Sequence, residues 1–294
     1  MASDNWWESF PQLTKQTLRE IRIYIDSGYR EFSREYGQLL EDFFDPLLQF
    51  LIWLEKLMIN SPWPIVLAAI LALAWAGSRS WRVVGGIAVS MLLIGTFGMW
   101  EDTMRTLSII TVCTLVSITL GLPIGILMAR SDRMRNVITP VLDVMQTMPS
   151  FVYLIPVVML LGIGKVPGVI AVVIYAIPPM IRLTDLGIRQ VDKAVLEAAE
   201  SFGCTGWQKL RHVQLPLALP SIFAGVNQTI MMSLAMVVIA SMIGVKGLGQ
   251  PVLKAITNQY FTMGLMNGLA IVALAIAFDR VSQSYGKRLQ QDHA

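Results

Sequence analysis

Charge and cysteine are scarce in this chain of 294 residues, and long stretches contain no ionisable side chain at all. Only 15% of the residues are charged, whereas 54% are hydrophobic, and the mean hydropathy is +0.59. Soluble domains have about 25% charged residues, so this composition excludes an ordinary soluble protein. It predicts an all-α protein that crosses a membrane several times.

Several kinds of functional site are also missing from the sequence. The two cysteines, Cys113 and Cys204, lie in an apolar run and in a polar segment, so no disulfide is predicted. The two histidines, His212 and His293, are too far apart in the chain to indicate a metal site. The glycine-rich stretch 244–251 is interpreted as an external re-entrant loop or turn, because it lacks the glycine, lysine and hydroxyl order of a phosphate-binding P-loop. The chain therefore has no means of its own to bind ATP, and nothing indicates nucleic-acid binding.

Seven uncharged apolar runs predict about seven transmembrane helices. A single Arg, Lys or Asp at the centre of a span costs about 2.5 to 3.5 kcal/mol, so charge-free runs of this length are typical of membrane segments. No ionisable residue lies deep in a run, which argues against a proton relay or an ion-coupled carrier. The runs are 62–78, 83–100, 107–129, 144–164, 166–181, 217–245 and 261–278.

Residues 1–60 are more polar, with ten acidic and six basic residues and with apolar side chains at helical spacing. We predict two or three amphipathic helices here. Asp45 can cap the last of them and Pro46 suits its first position, while Glu55 and Lys56 would be costly inside the hydrocarbon core. This last helix is interpreted as interfacial, lying along the membrane, and packing against the protein's own spans is the alternative.

The distribution of Lys and Arg between the short segments predicts the orientation. The side that includes the polar insert 190–216 and the tail 283–294 carries thirteen of these residues, and the other side carries four. Because cytoplasmic loops are enriched in Lys and Arg, the insert and the C-terminus are predicted to be cytoplasmic and the N-terminus extracytoplasmic. The six basic residues of the N-terminal region do not fit this bias, but long segments translocate largely regardless of charge.

The insert carries signals for two short helices with a bend between them. Alanines let another surface approach closely, and Gly203 permits a left-handed turn that ends the first helix. Thr205 and Gln208 have the spacing of a capping box, and Leu215-Pro216 marks the predicted end of the second helix. In order, the pattern is Glu197, Ala198, Ala199, three residues, Gly203, nine residues, Val213, one residue, Leu215 and Pro216.

Prolines interrupt several of the predicted spans, which indicates a central pathway. Each removes a backbone donor, and such breaks are tolerated in lipid only where protein or a water-filled cavity covers them. Polar residues near two of the runs are candidates for lining this pathway, although Ser, Thr and Asn also serve as contacts between helices. The prolines are Pro123, Pro149, Pro156, Pro178 and Pro179, and the candidate pathway residues are Gln146, Thr147, Pro149, Ser150, Tyr153, Asn227, Thr229 and Ser233.

The pattern in the insert resembles the coupling (EAA) motif of permease subunits of bacterial ATP-binding-cassette importers. Only Val213 departs from that motif, which has Ile at this position. From about residue 100 to 282 the sequence also resembles permeases of glycine betaine and proline betaine importers, through QTMPSFVYLIP, the insert and IGVKGLGQPVLKAI. The resemblance implies a MetI-like permease core over 101–282 with the coupling insert 190–216. Residues 1–60 would then be an amphipathic extension, 61–100 two accessory spans, and 283–294 a cytoplasmic tail.

The resemblance also implies partners. Such permeases work as homodimers in the bacterial inner membrane, with two cytoplasmic ATPase subunits and an extracytoplasmic solute-binding protein. ATP and magnesium would be held by the ATPase, so this chain is expected to carry no cofactor and to catalyse no reaction itself. ATP-driven movement of the insert would switch a central cavity between the two sides of the membrane. An aromatic cage for quaternary amines would belong to the binding protein, and the tryptophans of this chain are interpreted as interfacial anchors.

Other functions stay open on the sequence alone. A permease of the same fold could carry choline, taurine or another sulfonate, nitrate, or an amino acid. A passive pore or membrane scaffold would need no ATPase. An intramembrane enzyme fits least, because no paired carboxylates, histidine cluster or activated nucleophile occur at membrane depth.

Overall fold

The computed structural model describes residues 12–292, and every regular element in that part of the chain is a helix. This confirms the predicted all-α class. Three brief segments of 3-10 or π geometry link some of the α-helices: Ser150–Tyr153, Leu210–Gln214 and Ser241–Ile243. The α-helices are α1 (Lys15–Asn60), α2 (Trp63–Ser78), α3 (Trp81–Thr96), α4 (Trp100–Arg130), α5 (Asp132–Thr147), α6 (Leu154–Leu161), α7 (Lys165–Arg189), α8 (Lys193–Ser201), α9 (Gly206–Lys209), α10 (Leu215–Ala240), α11 (Gly249–Asn258) and α12 (Phe261–Asp292).

Within the described residues, four helical segments are long and apolar enough to cross a membrane. They are α4, α7, α12 and the continuous segment Gly206–Ile243, which contains α9 and α10. Two pairs, α1 with α2 and α5 with α6, meet the same criterion together but bend by 114° and 111° at a short break. Each pair is a broken span or a re-entrant hairpin, which brings the number of candidate spans to as many as six.

This number is lower than the seven apolar runs of the sequence. Runs 62–78 and 83–100 coincide with α2 and α3, which contain 16 residues each. Such helices rise about 24 Å, less than the ~30 Å of a bilayer's hydrocarbon core. Run 83–100 is shortened by a turn at 97–99, where Gly98 has a φ of +75°. Apolarity extended beyond the helix here, so the length of the run overstated the length of the span.

The N-terminal region forms one helix, and the prediction of two or three was wrong. α1 continues for 46 residues through Pro46, which was expected to begin a new helix. Proline removes a backbone hydrogen bond and disfavours helical geometry at the preceding residue. The helix continues because Phe44, Leu47 and Leu51 pack against the start of α7 on both sides of the proline, and Leu51 is only 1% exposed. The segment after Pro46 therefore packs on the protein's own helices, as in the alternative interpretation.

Hydrogen bonds hold an earlier part of α1 along α6. The Tyr29 hydroxyl donates to the carbonyl oxygen of Pro156, and the Ser33 hydroxyl donates to that of Leu160 over 3.4 Å. Leu160 is in the last turn of α6, where carbonyl groups have no partner within the helix. Ser33 thus satisfies a backbone group that water could not reach in a membrane.

A group of charged side chains joins α1 to the beginnings of α4 and α7. The Glu55 carboxylate lies 2.5 Å from Lys165 Nζ and 3.6 Å from Arg105 Nε, and the Glu55 side chain is only 12% exposed. A buried carboxylate is costly when it is alone, and these two cations offset that cost. Ion pairs with Lys165 and Arg105 thus stabilise Glu55 where it lies against the core of the protein.

Small residues allow α4, α7 and α10 to pack closely, and these three helices form the centre of the fold. A Cβ atom on Gly125 of α4 would lie 2.6 Å from Thr184 Cβ, and one on Gly187 of α7 would lie 2.6 Å from Ser221 Cβ. Membrane helices are packed by such close approaches, since lipid provides no hydrophobic drive for association. The glycines therefore set the distances between the three helices.

The predicted helix breaks at prolines are only partly observed. α5 ends at Thr147, and the extended backbone of Met148 before Pro149 produces the sharp turn into α6. Pro156 is the third residue of α6, where the missing N–H has no partner to lose. Pro123 and the pair Pro178-Pro179 lie inside the continuous helices α4 and α7. The one complete interruption is thus at Pro149, among the five prolines that the sequence analysis singled out.

The close approach at Gly125 can be tested with matched alanine variants. Gly125→Ala should lower the free energy of unfolding by about 1–3 kcal/mol, because the new methyl group overpacks against Thr184. Gly85→Ala in α3 is the control, since nothing lies within 4 Å of its Cβ position, and it should be neutral or stabilising by about 0.5–1 kcal/mol. Thermal unfolding of the purified proteins in one detergent measures both. Equal midpoints for the two variants would contradict the close packing.

Candidate functional site

The first half of the polar insert is the short helix α8, with a defined start and end. The Asp192 side chain accepts a hydrogen bond from Ala194 N at 2.9 Å and caps its first turn. At the other end, Gly203 has a φ of +78°, and its N–H donates to Glu200 O at 2.9 Å. The N–H of Cys204 closes the same turn on Ala199 O at 3.1 Å. The predicted left-handed helix end at Gly203 is confirmed.

The second half of the insert begins as predicted but does not end as predicted. Thr205 and Gln208 form the capping box reciprocally, which starts α9. The chain then passes through the π segment into α10 with no break at Leu215-Pro216, so the prediction of a second short helix was wrong. Pro216 lies in the first turn of α10, and the π segment before it accommodates the proline's missing donor and bulky ring. The insert is therefore one short helix followed by the first turns of a long one.

The insert presents one part of its motif to solvent and uses the other part for anchoring. Glu197, Ala198 and Gly203 are exposed, and Ala199 is half-buried. Val213, Leu215 and Pro216 are half-buried at the base, beside Leu210, which is 1% exposed and packs with Ile188, Ala218 and Ile222. An ion pair between Lys209 and Glu200 holds the two helical parts together.

Two exposed aromatic side chains on the insert were missed by the sequence analysis. Phe202 is 90% exposed and Trp207 is 61% exposed, and they lie on either side of the turn at Gly203. Large exposed aromatic residues are typical of the centres of protein interfaces. Their presence in a polar segment between apolar runs was a usable signal. The motif alanines and these rings together make an exposed surface that can receive a partner.

Arg189, at the end of α7, connects the insert to two other helices. Its Nε donates to Asp185 Oδ1 at 2.8 Å, and a second nitrogen donates to the carbonyl oxygen of Met128, in the last turn of α4, at 2.7 Å. Its remaining nitrogen lies 2.7 Å from Asp132 Oδ1, at the start of α5. The planar guanidinium thus joins the ends of α4, α5 and α7 at the residue where the insert begins.

The carboxylate that Arg189 holds is itself buried. Asp185 is 6% exposed, and its second oxygen lies 3.4 Å from Arg135 Nε of α5. Removing one partner from a buried network leaves an uncompensated charge, which costs more than the pair contributes. The sequence showed Asp185 and Arg189 at i, i+4 spacing, but the partners on α4 and α5 depend on tertiary structure.

The candidate pathway residues near Pro149 surround the break between α5 and α6. Gln146, Thr147 and Pro149 are exposed in a single chain, and Ser150 is half-buried. Tyr153 is buried, and its hydroxyl donates to the carbonyl oxygen of Met145 across the turn. Its ring meets that of Tyr175 of α7 edge to face, with centroids 6.0 Å apart. Tyr153 thereby fixes the turn, while the residues before it are accessible.

The candidate pathway residues on α10 differ among themselves. Thr229 and Ser233 are fully buried, and their hydroxyl oxygens have no hydrogen-bond partner among the described residues. Asn227 is half-buried, and its amide donates to Asp279 Oδ1 of α12 at 3.1 Å. Asp279 lies next to the last apolar run and was not singled out from the sequence. Of these residues, Asn227 is the one beside an open recess.

No group of three or more possible metal ligands comes together in the part of the chain that the structure describes. His212, the one histidine in that part, contacts the carbonyl oxygen of Gln208 at 3.2 Å. Cys113 and Cys204 are both free.

Comparison with protein families and curated proteins gives consistent matches. Residues 121–291 match the family model described as "Binding-protein-dependent transport system inner membrane component". The chain is 47% identical over 272 residues to the glycine betaine/proline betaine transport system permease protein ProW of Escherichia coli (strain K12), which covers 92% of this chain and 77% of that protein. It is 45% identical to the glycine betaine/carnitine transport permease protein GbuB of Listeria monocytogenes serotype 1/2a (strain 10403S), over 79% of this chain and 83% of that protein.

Comparison with solved structures identifies a similar fold. A chain of the MetNI methionine ABC transporter in an inward-facing conformation superposes with a TM-score of 0.58, and the match covers 63% of this chain and 93% of that one. The sequence identity is 19%, so this match shows the fold alone. The predicted MetI-like core is thereby confirmed.

The role of Arg189 in holding the insert can be tested by hydrogen exchange. Arg189→Lys keeps the charge but cannot reach Asp185, Asp132 and Met128 together, so the start of the insert should open more often. Bonds to charged groups contribute about 1.5–3 kcal/mol, and we expect amide exchange over residues 190–203 to rise about tenfold. Mass spectrometry of the protein in nanodiscs measures this. Arg211→Lys, at an exposed position of the same insert, is the control, and equal exchange in both variants would contradict the role of Arg189.

Proposed function

The chain belongs to the family of binding-protein-dependent transport system inner membrane components, and from this premise we propose that it is the permease of an ATP-driven importer for glycine betaine, proline betaine or related quaternary-amine solutes. A member of this family is a transport component and not an enzyme. The observation that carries the solute class is the identity of 45–47% to permeases named for betaine transport, over most of this chain.

The proposal requires a separate source of energy, because the sequence has no P-loop. We infer that two copies of this chain assemble with two cytoplasmic ATPase subunits and an extracytoplasmic solute-binding protein. ATP and magnesium would be bound by the ATPase, and this chain would hold no cofactor. The homodimer rests on the resemblance of the insert and core to such permeases.

The insert is proposed as the docking element for the ATPase. Its exposed surface combines the small side chains Ala198 and Ala199 with the rings of Phe202 and Trp207, so a groove on the partner can receive it closely. Glu197 and Gly203 complete the exposed part of the motif, while Val213, Leu215 and Pro216 attach it to the membrane domain. This arrangement requires the insert to face the cytoplasm, with the C-terminus on the same side and the N-terminus outside.

Movement of the insert has two routes into the membrane domain, one along the backbone and one that includes hydrogen bonds and ion pairs. One runs through α9 and the π segment into α10, which carries Asn227, Thr229 and Ser233. The other runs back through Arg189 into α4, α5 and α7. α5 leads to Gln146, Thr147, Pro149, Ser150 and Tyr153 at the sharp turn into α6. We propose that closure of the ATPase dimer moves the helices of both routes together. This movement would open the pathway alternately to the two sides of the membrane.

Uptake by the reconstituted complex tests the solute class. The permease, its ATPase and its binding protein in liposomes should accumulate labelled glycine betaine when ATP is inside. Excess proline betaine should compete strongly, and excess taurine or an amino acid should not. Competition by choline or taurine with little effect of proline betaine would favour a permease of the same fold for another solute. ATP-independent equilibration would favour a passive pore.

The turn at Gly203 gives a test of coupling. Gly203→Val forces a β-branched residue to a φ of +78°, which costs about 1–3 kcal/mol and should deform the insert without affecting membrane insertion. We expect betaine transported per ATP hydrolysed to fall at least fivefold, or the ATPase to dissociate on gel filtration. Gly206→Val is the control, because Gly206 has no positive φ and open space around its Cβ position. Normal coupled uptake by Gly203→Val would count against the docking role.

A further inference from the structure

A recess opens between α7, α10 and α12, on the half of the membrane domain nearer the insert. It is open to solvent, and its lining includes Phe223, Asn227, Gln228, Ser282 and Gln283. Phe223 and Asn227 lie two and three turns of α10 beyond the base of the insert. None of the described residues that form the wall of the recess carries a positive charge.

A carboxylate that has no cation partner among the described residues lies beside this wall. Asp279 accepts a hydrogen bond from Asn227 Nδ2 at 3.1 Å and from Gln283 Nε2 at 2.8 Å to each of its oxygens. None of the ion pairs among the described residues includes Asp279. An unpaired acidic residue beside a membrane span is costly, and such residues are commonly functional.

Asp279 orients the side-chain amides of Asn227 and Gln283 in the same way, with their NH2 groups toward its carboxylate. Because both give their N–H groups to the carboxylate, the carbonyl oxygens of Asn227 and Gln283 are directed away from it. The Asn227 oxygen is buried and has no hydrogen-bond partner among the described residues, so it does not itself reach the recess. The wall thus combines the amide oxygen of Gln283 with a negative charge one layer behind it, which gives it a negative potential.

An aromatic pair completes the same wall. Phe223 packs edge to face with Tyr285 of α12, with ring centroids 4.7 Å apart and an interplanar angle of 63°. The faces of aromatic rings attract cations, and rings are the usual partners of quaternary ammonium groups. The hydroxyl of Ser282 and the amide of Gln228 add donors that can bind an anionic group of the same molecule.

From these features we propose that the recess is a binding site for a quaternary ammonium group, and that Asp279 positions its amides and supplies its charge. Such a cation has no N–H to donate, so it interacts with carbonyl oxygens, ring faces and a nearby negative charge. A Ca²⁺ or Mg²⁺ ion would instead need several oxygens converging within about 2.0–2.6 Å, and the described residues hold no group of three or more possible metal ligands. The proposal rests on the proposed function. It adds a binding site for the solute on the permease itself, on the insert side of the membrane domain.

Direct binding to the complex without its binding protein tests this site. The permease with its ATPase is placed in nanodiscs of phosphatidylethanolamine and phosphatidylglycerol, and labelled glycine betaine is titrated by scintillation proximity. Saturable binding should be displaced by tetramethylammonium and not by 3,3-dimethylbutanol, an uncharged molecule with a tert-butyl group in place of a trimethylammonium group. Asp279→Asn should weaken binding at least tenfold, whereas Asp279→Glu, which keeps the charge, should stay within about threefold. Phe223→Leu should also weaken binding, and Asp42→Asn, at an exposed position of α1, should not.

The outcomes separate this site from the proposed function. If the wild-type complex with its binding protein accumulates betaine, but Asp279→Asn binds as tightly as wild type, the site is overturned and the proposed function stands. The site is equally overturned if uptake occurs and the complex shows no saturable binding. If neither uptake nor binding occurs, both the proposed site and the proposed function are overturned. Nanodiscs that contain phosphatidylcholine form the second arm, because its headgroup is also a quaternary ammonium. Loss of betaine binding there would identify a lipid as a competing occupant of the same site.

Discussion

The close packing of α4, α7 and α10 is the constraint on which the rest of this structure depends. Gly125 and Gly187 let neighbouring helices approach to a distance that any larger side chain would prevent. In lipid this contact is stabilised by van der Waals packing, and that packing depends on the short distance between the helices. With the three helices fixed, the ends of α4 and α7 come together beside α5, and Arg189 can reach all of them. The insert emerges from this junction, and its position follows from the packing behind it.

The sequence predicted two helix ends in the insert correctly, because short-range backbone geometry and capping determine them. Gly203 ends α8 and the Thr205 box starts α9, because a positive φ and a capping hydrogen bond are decided within a few residues. The prediction failed at Pro46 and Pro216, where a proline was expected to break the helix. At Pro46, packing against α7 on both sides maintains α1, and at Pro216 a π segment accommodates the ring. Whether these prolines break a helix was decided by tertiary packing at Pro46 and by a local change of helix geometry at Pro216, and the sequence displays neither.

Two of the residues that the sequence analysis missed have a role that depends on a partner far away in the chain. Arg189 looks like an ordinary residue at the end of a span until Met128 and Asp132 are placed beside it. Asp279 is similar, since one of its two amide partners, Asn227, lies on α10. Phe202 and Trp207 are different, because two aromatic residues in a polar insert were visible in the sequence and only their exposure had to be observed.

The π segment Leu210–Gln214 has a geometric consequence for the insert. A π turn contains one more residue than the α-helical turn it replaces, and each residue of an α-helix advances the chain by about 100° around the axis. The π turn takes up this extra residue within one turn, so Trp207 and the base of the insert keep about the direction that a regular helix would give them. The same extra residue in a regular α-helix would turn the insert by about 100° relative to the buried face of α10. The nine residues between Gly203 and Val213 thus specify a rotational phase between insert and membrane domain as well as a distance.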